Sequence, residues 1–256
     1  MTETQDSQQA IEHPTRRRPS LSDRIRAAPV TFSLIGLTSL IFLGQMLTTE
    51  LIGYDLLLTL GAKEHRAIEA GQIWRYFTPI VLHVDPLHLL VNMYSLYIIG
   101  PPVERPYGPL RYGLVYLLSG LGGVAASLAF STHPSAGASG AIFGLLGALA
   151  AFLYIHRNYT GPAGRGQLRH IVLVAVINLA IGLSPGIDNW GHFGGLLTGV
   201  GLAFGLGPRY RPDWDDEGAP EMKDQRAFGQ IWPRALLAAA VVAVLAWAAV
   251  NSPFRG

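Results

Sequence analysis

The chain contains no cysteine, which excludes a disulfide framework, a thiol nucleophile and thiolate metal ligands. Charge is scarce as well. Charged residues make up 14% of the sequence, against about 25% in an ordinary soluble chain. The net charge of +2 is too small to point to a nucleic-acid partner. The first 29 residues are polar and no small-residue cleavage site follows the first apolar stretch, so a secretory signal peptide is not expected. In place of charge the chain holds 50% hydrophobic residues and 30 glycines. Apolar runs approaching ~20 residues place it among integral membrane proteins.

Hydropathy predicts an all-α polytopic protein with spans near 30–47, 85–100, 112–130, 139–156, 171–183, 190–206 and 235–250. Four segments follow: a polar, disordered cytoplasmic tail at 1–29, a six-span core at 30–207, a charged cytoplasmic linker at 208–230, and a seventh span with a short tail at 231–256. Residues 50–78, rich in aromatics, are expected to lie half sunk in the membrane interface. Pro101-Pro102 is expected to stop the second span, residues 157–169 to form a Gly-rich polar loop, and Asn178 to join helices. Most of the 19 Lys and Arg residues fall on one side when the N-terminus is cytoplasmic. The helix starts that carry Ser139 and His192 then face the outside together.

Ser139 lies in Gly137-Ala138-Ser139-Gly140 and opens an apolar helix. Amide donors and the positive dipole end gather at such a helix start and favour developing negative charge. The plainer reading is an N-cap serine, the commoner use of that residue. At ~1.5 Å per residue, a helix from Ser139 to Tyr154 spans about 24 Å, less than a ~30 Å hydrocarbon core. Ser139 is therefore expected in a wet hollow below the outer surface. His192 sits in Gly191-His192-Phe193-Gly194-Gly195, with Gly199 four residues on, and Gly140, Gly144 and Gly147 follow Ser139. Small residues at this spacing let two helices meet backbone to backbone. A neutral imidazole then has reach to take the serine proton. The competing reading of His192 is a packing histidine on a backbone carbonyl, but ionisable groups within spans are functional by default. His88 and Asn92 share a helix face and are candidate oxyanion donors with the Ser139 backbone N–H. A metal site from His83, His88 and His192 lacks carboxylates at ligand spacing apart from Asp85. Asp188 is expected to cap a helix rather than orient His192. His13, His65, His133, His156 and His170 receive no role.

Together with Trp74-Arg75, His83, His88-x-x-x-Asn92, Gly100-x-x-x-Glu104-x-x-x-Gly108 and Arg111, these motifs resemble those of the rhomboid family of intramembrane serine proteases. The resemblance runs over about 74–205. It implies a rhomboid-like six-helix bundle plus one extra C-terminal helix, and a Ser139–His192 dyad without an acidic third member. It implies oxyanion stabilisation by His88, Asn92 and the Ser139 N–H. It also implies an aromatic Phe143 against the His192 ring, where many relatives carry Tyr. Gly137, Gly140, Gly195 and Gly199 support the site.

The expected function is hydrolysis of peptide bonds in or beside transmembrane helices of membrane proteins, with no metal or cofactor and no nucleic acid. The expected place is a prokaryotic cell membrane, among lipids, with the site opening outward. The alternative is a non-proteolytic relative that binds client helices, although such proteins typically lack the serine or the histidine. A transporter would call for mid-membrane charges or inverted repeats, and neither is present.

Overall fold

The computed structural model describes residues 20–215, 217–226 and 228–251; the expectations for 1–19 and 252–256 lie outside them. The order is α1 (Leu21–Ala27), α2 (Pro29–Ile52), α3 (Leu56–Gly61), α4 (His65–Glu69), 3-10 turns at Ile73–Tyr76 and Thr78–Val81, α5 (Pro86–Phe130), α6 (Ser139–Ile155), α7 (Arg157–Ile181), α8 (Asn189–Gly205), a hairpin of β1 (Tyr210–Trp214) and β2 (Pro220–Asp224), and α9 (Ile231–Val250). Helices α2, α5 and α9 are long and apolar enough to cross a membrane, and α6 is a shorter apolar helix. Leu40, Leu43, Val91, Val176 and Leu237 are exposed on helix surfaces, which suits lipid rather than water.

Helix α6 is the core. Residues 141–149 are all buried, as expected of a helix that is apolar all round. It packs against α5, α7 and α8. Helix α5 runs 45 residues and turns at Gly108, whose φ of 75° is left-handed. Pro101-Pro102 does not stop it, contrary to the sequence expectation. Proline holds a helical φ, although it lacks an amide donor and crowds the carbonyl four residues back; the helix carries the pair and breaks at the glycine instead. The continued helix carries Glu104 to the start of α2. Its carboxylate accepts Val30 N at 2.8 Å, Thr31 N at 2.8 Å and Thr31 Oγ1 at 2.7 Å. A buried anion thereby satisfies the open amides of a helix N-terminus.

Three further expectations are corrected. Residues 21–27 of the supposed disordered tail are helical, with Ser20 and Asp23 forming a capping box. Residues 157–169 are helical rather than a loop, broken at Gly161 and restarted at Pro162. Proline suits a first helical turn, and a polar helix end needs no apolar stripe. Asn178 Nδ2 donates to Val174 O of its own helix at 2.8 Å, so it does not join helices.

The charged linker carries the hairpin, paired from Tyr210↔Asp224 to Trp214↔Pro220. An isolated hairpin is marginal, and this one is anchored to helix ends. Tyr210 N donates to His156 Nε2 at 3.0 Å, and Tyr210 OH to Pro106 O at 2.9 Å. Arg209 and Arg226 donate to Phe204 O at 2.9 and 3.2 Å, near the end of α8, where cations suit the helix dipole. Asp224 Oδ2 accepts Arg111 at 2.5 Å, and Oδ1 accepts the amides of Arg209 and Arg226 at 2.7 and 3.1 Å.

Partial burial alone would raise the Asp224 carboxyl. The Arg209 amide, the Arg111 guanidinium and the Arg226 amide together hold it below its ordinary value. A depressed carboxylate stabilises the folded state above its unfolded pKa, near ~3.9 for Asp. That contribution is lost as pH falls through the lowered folded value. Hairpin docking should therefore be intact at neutral pH. Asp224→Asn, which mimics protonation, should make trypsin cut residues 209–226 several-fold faster at pH 7. An unchanged rate would contradict the anchoring.

Candidate active site

The loop before α6 is fixed from the side of α3 and α4. Trp74 Nε1 donates to Leu60 O at 2.9 Å, Arg75 to Ala62 O at 2.7 Å and Thr59 O at 2.9 Å, and Thr78 Oγ1 to Gly61 O at 2.6 Å. These side chains close the C-terminal carbonyls of α3. Trp74-Arg75 is thus scaffold. Gln45 brackets the His83 backbone, donating to its carbonyl at 2.8 Å and accepting its amide at 3.1 Å. The folded segment then grips the loop. Lys63 and Ser135 exchange backbone bonds at 2.8 and 3.1 Å, and Gly137 N donates to Pro79 O at 2.9 Å.

Ser139 follows this anchored loop as the first residue of α6. The N-cap is Ala138, and no side chain caps the helix. The plainer reading of Ser139 as a cap therefore fails. Its Oγ lies 2.9 Å from His192 Nε2. With the imidazole proton on Nδ1, Nε2 accepts the hydroxyl hydrogen. The His192 ring stacks on Phe143, with centroids 4.4 Å apart and planes 14° from parallel. Phe143 lies one turn below Ser139, so one helix supplies both the hydroxyl and the platform. His192 Nδ1 meets no polar partner among the described residues. Asp188 is engaged elsewhere: Oδ1 accepts Gly191 N at 3.0 Å and Oδ2 accepts Ser127 Oγ at 2.5 Å. It caps α8, as its position in the sequence suggests.

The hydroxyl meets the ring because α6 and α8 cross without side chains between them. A Cβ on Gly195 would fall on the Gly140 carbonyl oxygen, and one on Gly199 on that of Gly144. One on Gly140 would stand 3.2 Å from Gly191 O. Such closeness admits Cα–H···O contacts and direct dispersion between backbones.

His88 closes the other side. Asp85 caps α5 by accepting His88 N at 2.8 Å. Gly137 has φ 146°, and a Cβ there would lie 2.9 Å from His88 Nε2 and 3.7 Å from Ser139 Oγ. The bare glycine therefore lets the imidazole edge and the hydroxyl converge on one spot. Asn92 is buried one turn further along α5. One N–H of its amide donates to His88 O at 2.9 Å, leaving the other. A cavity of about 40 Å³, lined in part by Ile80, Gly120, Ser135, Ser139, Asp188 and Gly191, lies beside the serine. At ~10–15 Å³ per site it has room for about three waters. Among the described residues, no three His, Asp or Glu side chains gather as metal ligands would.

The family described as Rhomboid domain matches residues 70–209. The chain belongs to the rhomboid family. It is 42% identical over 178 residues to "Rhomboid protease GluP" of Bacillus subtilis (strain 168), covering 69% of this chain and 34% of that protein. It is 43% identical over 151 residues to "RHOMBOID-like protein 5" of Arabidopsis thaliana, covering 57% and 48%. "Inactive RHOMBOID-like protein 8" of the same plant is 36% identical over 132 residues, covering 51% and 37%. The chain thus spans between a third and a half of the length of these relatives. Family membership and the apolar helices make this rhomboid an integral, multi-pass membrane protein.

The helix crossing in this rhomboid is testable. Gly199→Ala places a methyl on the Gly144 carbonyl, and overpacking of this kind costs ~1–3 kcal/mol. Thermal unfolding in detergent should shift down accordingly. An unchanged midpoint would mean that α6 and α8 do not touch there.

Proposed function

We propose that this rhomboid is an intramembrane serine endopeptidase acting on membrane proteins with transmembrane helices. The single observation that carries the reading is the 2.9 Å contact between Ser139 Oγ and His192 Nε2, with the ring held on Phe143. Ser139 attacks the carbonyl carbon while His192 takes its proton; His192 then returns that proton to the leaving amine. Water hydrolyses the acyl-enzyme, and the small cavity beside Ser139 is a fitting store for it. His88, the remaining N–H of Asn92 and the Ser139 amide stabilise the oxyanion.

On this reading α2, the two arms of α5, α6, α7 and α8 form the six-helix core and α9 is the seventh span. The N-terminus is cytoplasmic and the site opens outward, as the distribution of Lys and Arg favours. The substrate helix enters from the side of α7, which packs along α6 and has little contact with α8. It must unwind near the cut, more readily where helix-breaking residues stand.

Ser139→Ala and His192→Ala should each abolish cleavage of a single-span model substrate while leaving expression intact. Asn92→Ala should lower turnover ~10²-fold, as loss of one oxyanion donor does. Normal cleavage by either dyad variant would overturn the Ser139–His192 assignment, whereas a wild-type chain that binds the substrate helix without cutting it would favour a non-proteolytic rhomboid that binds client helices. Unchanged turnover with Asn92→Ala would remove that residue from the site.

A further inference from the structure

Lys63 has no solvent exposure. A buried ammonium survives only when its protons and its charge are both answered. Its Nζ donates to Ser127 Oγ at 2.8 Å and to Ser131 O at 3.2 Å. Ser127, also buried, passes its own proton onward to Asp188 Oδ2 at 2.5 Å. Asp188 Oδ1 accepts Gly191 N at 3.0 Å. The donors run one way, from the ammonium through the hydroxyl to the carboxylate. Each bond in such a chain polarises the next. Burial pushes the Lys63 amine below its ordinary value, and the carboxylates of Asp188 and then Glu64 pull against that.

The geography of this chain matters more than its strength. The Lys63 backbone is paired with Ser135, four residues before Ser139. Its side chain ends, through Ser127, on the cap of α8, four residues before His192. One residue therefore touches the lead-in to the serine with its main chain and the helix start of the histidine with its charge. Asp188 and Ser135 both line the cavity beside Ser139. Without that cation, the Asp188 carboxylate would keep only the Ser127 hydroxyl and the Gly191 amide at the wall of the site.

We infer that Lys63, Ser127 and Asp188 form a charge bridge, buried at Lys63 and Ser127 and half-buried at Asp188, that sets the distance between Ser139 and His192. They are positioning residues for the proposed hydrolysis, and the inference rests on the reading of Ser139 and His192 as the dyad. The bridge touches no reacting atom. It acts through the register of α8 against the loop that delivers Ser139, and misplacement of reacting groups by even an ångström is costly.

The test uses the full chain in detergent with a single-span substrate. It reads kcat, KM, the rate of fluorophosphonate labelling at Ser139, and thermal unfolding. Ser127→Ala, Lys63→Met and Asp188→Asn should each lower kcat and the labelling rate about tenfold or more, with KM within about twofold. The double variant Lys63→Met/Asp188→Asn removes both charges. It should exceed either single charge variant in kcat, in labelling rate and in unfolding midpoint, because breaking a buried pair strands a charge and removing the pair does not. If Lys63→Met fails to fold, Ser127→Ala, which keeps both charges, and the double variant carry the test. Wild-type kcat and labelling in Ser127→Ala, or losses that simply multiply in the double variant, would overturn the bridge. A wild-type chain that neither cleaves nor labels would overturn the dyad reading instead. The unfolding midpoints of the single and double variants would still decide whether Lys63 and Asp188 are coupled.

Discussion

Backbone-to-backbone contact between α6 and α8 is the constraint on which the rest depends. Two helices in lipid gain little from hydrophobicity, since the tails around them are equally apolar. They associate where surfaces fit closely. Here Gly140 and Gly144 face Gly195 and Gly199 with no room for a methyl between them. That closeness lets a hydroxyl on one helix and a short-reaching imidazole on the other come within 2.9 Å. Both groups sit at the same end of their helices, so the crossing fixes their separation directly.

Around that crossing the chain spends its few polar residues on helix ends. Glu104 serves the start of α2, Asp85 that of α5 and Asp188 that of α8. Arg75, Trp74 and Thr78 close α3, and Arg209 and Arg226 attend the end of α8. A protein with 14% charged residues has little to spare, and in a membrane unsatisfied helix ends are the expensive places. Ser139 is the exception. It stands at a helix start without capping it, and its hydroxyl is turned to a histidine.

Much of the candidate site was legible because the chemistry proposed for it rests on residues that are out of place in lipid. A serine, two histidines and an asparagine inside apolar runs have few bland uses, and glycines at three- and four-residue spacing announce a close crossing. The structure brings Ser139, His192, Phe143, His88 and Gly137 together where the pattern placed them. Lys63 and Ser127 were missed because their meaning is tertiary. A lysine between apolar stretches reads as a loop charge until its carbonyl, hydroxyl and carboxylate partners, drawn from distant segments, are seen. The hairpin was missed for a related reason. Its strands have no apolar alternation, and it is held by ionic and carbonyl anchors on helices far away in sequence. Pro101-Pro102 misled because an interior proline pair reads as a helix stop, whereas α5 carries both residues and turns at Gly108.

The measurement that bears most directly on the dyad is mass-spectrometric mapping of a fluorophosphonate adduct on the protein in native membranes. The adduct should sit on Ser139 alone and vanish when His192 is replaced by alanine, since the hydroxyl is then no longer activated. An adduct on another residue, or undiminished modification of Ser139 without the imidazole, would contradict the account.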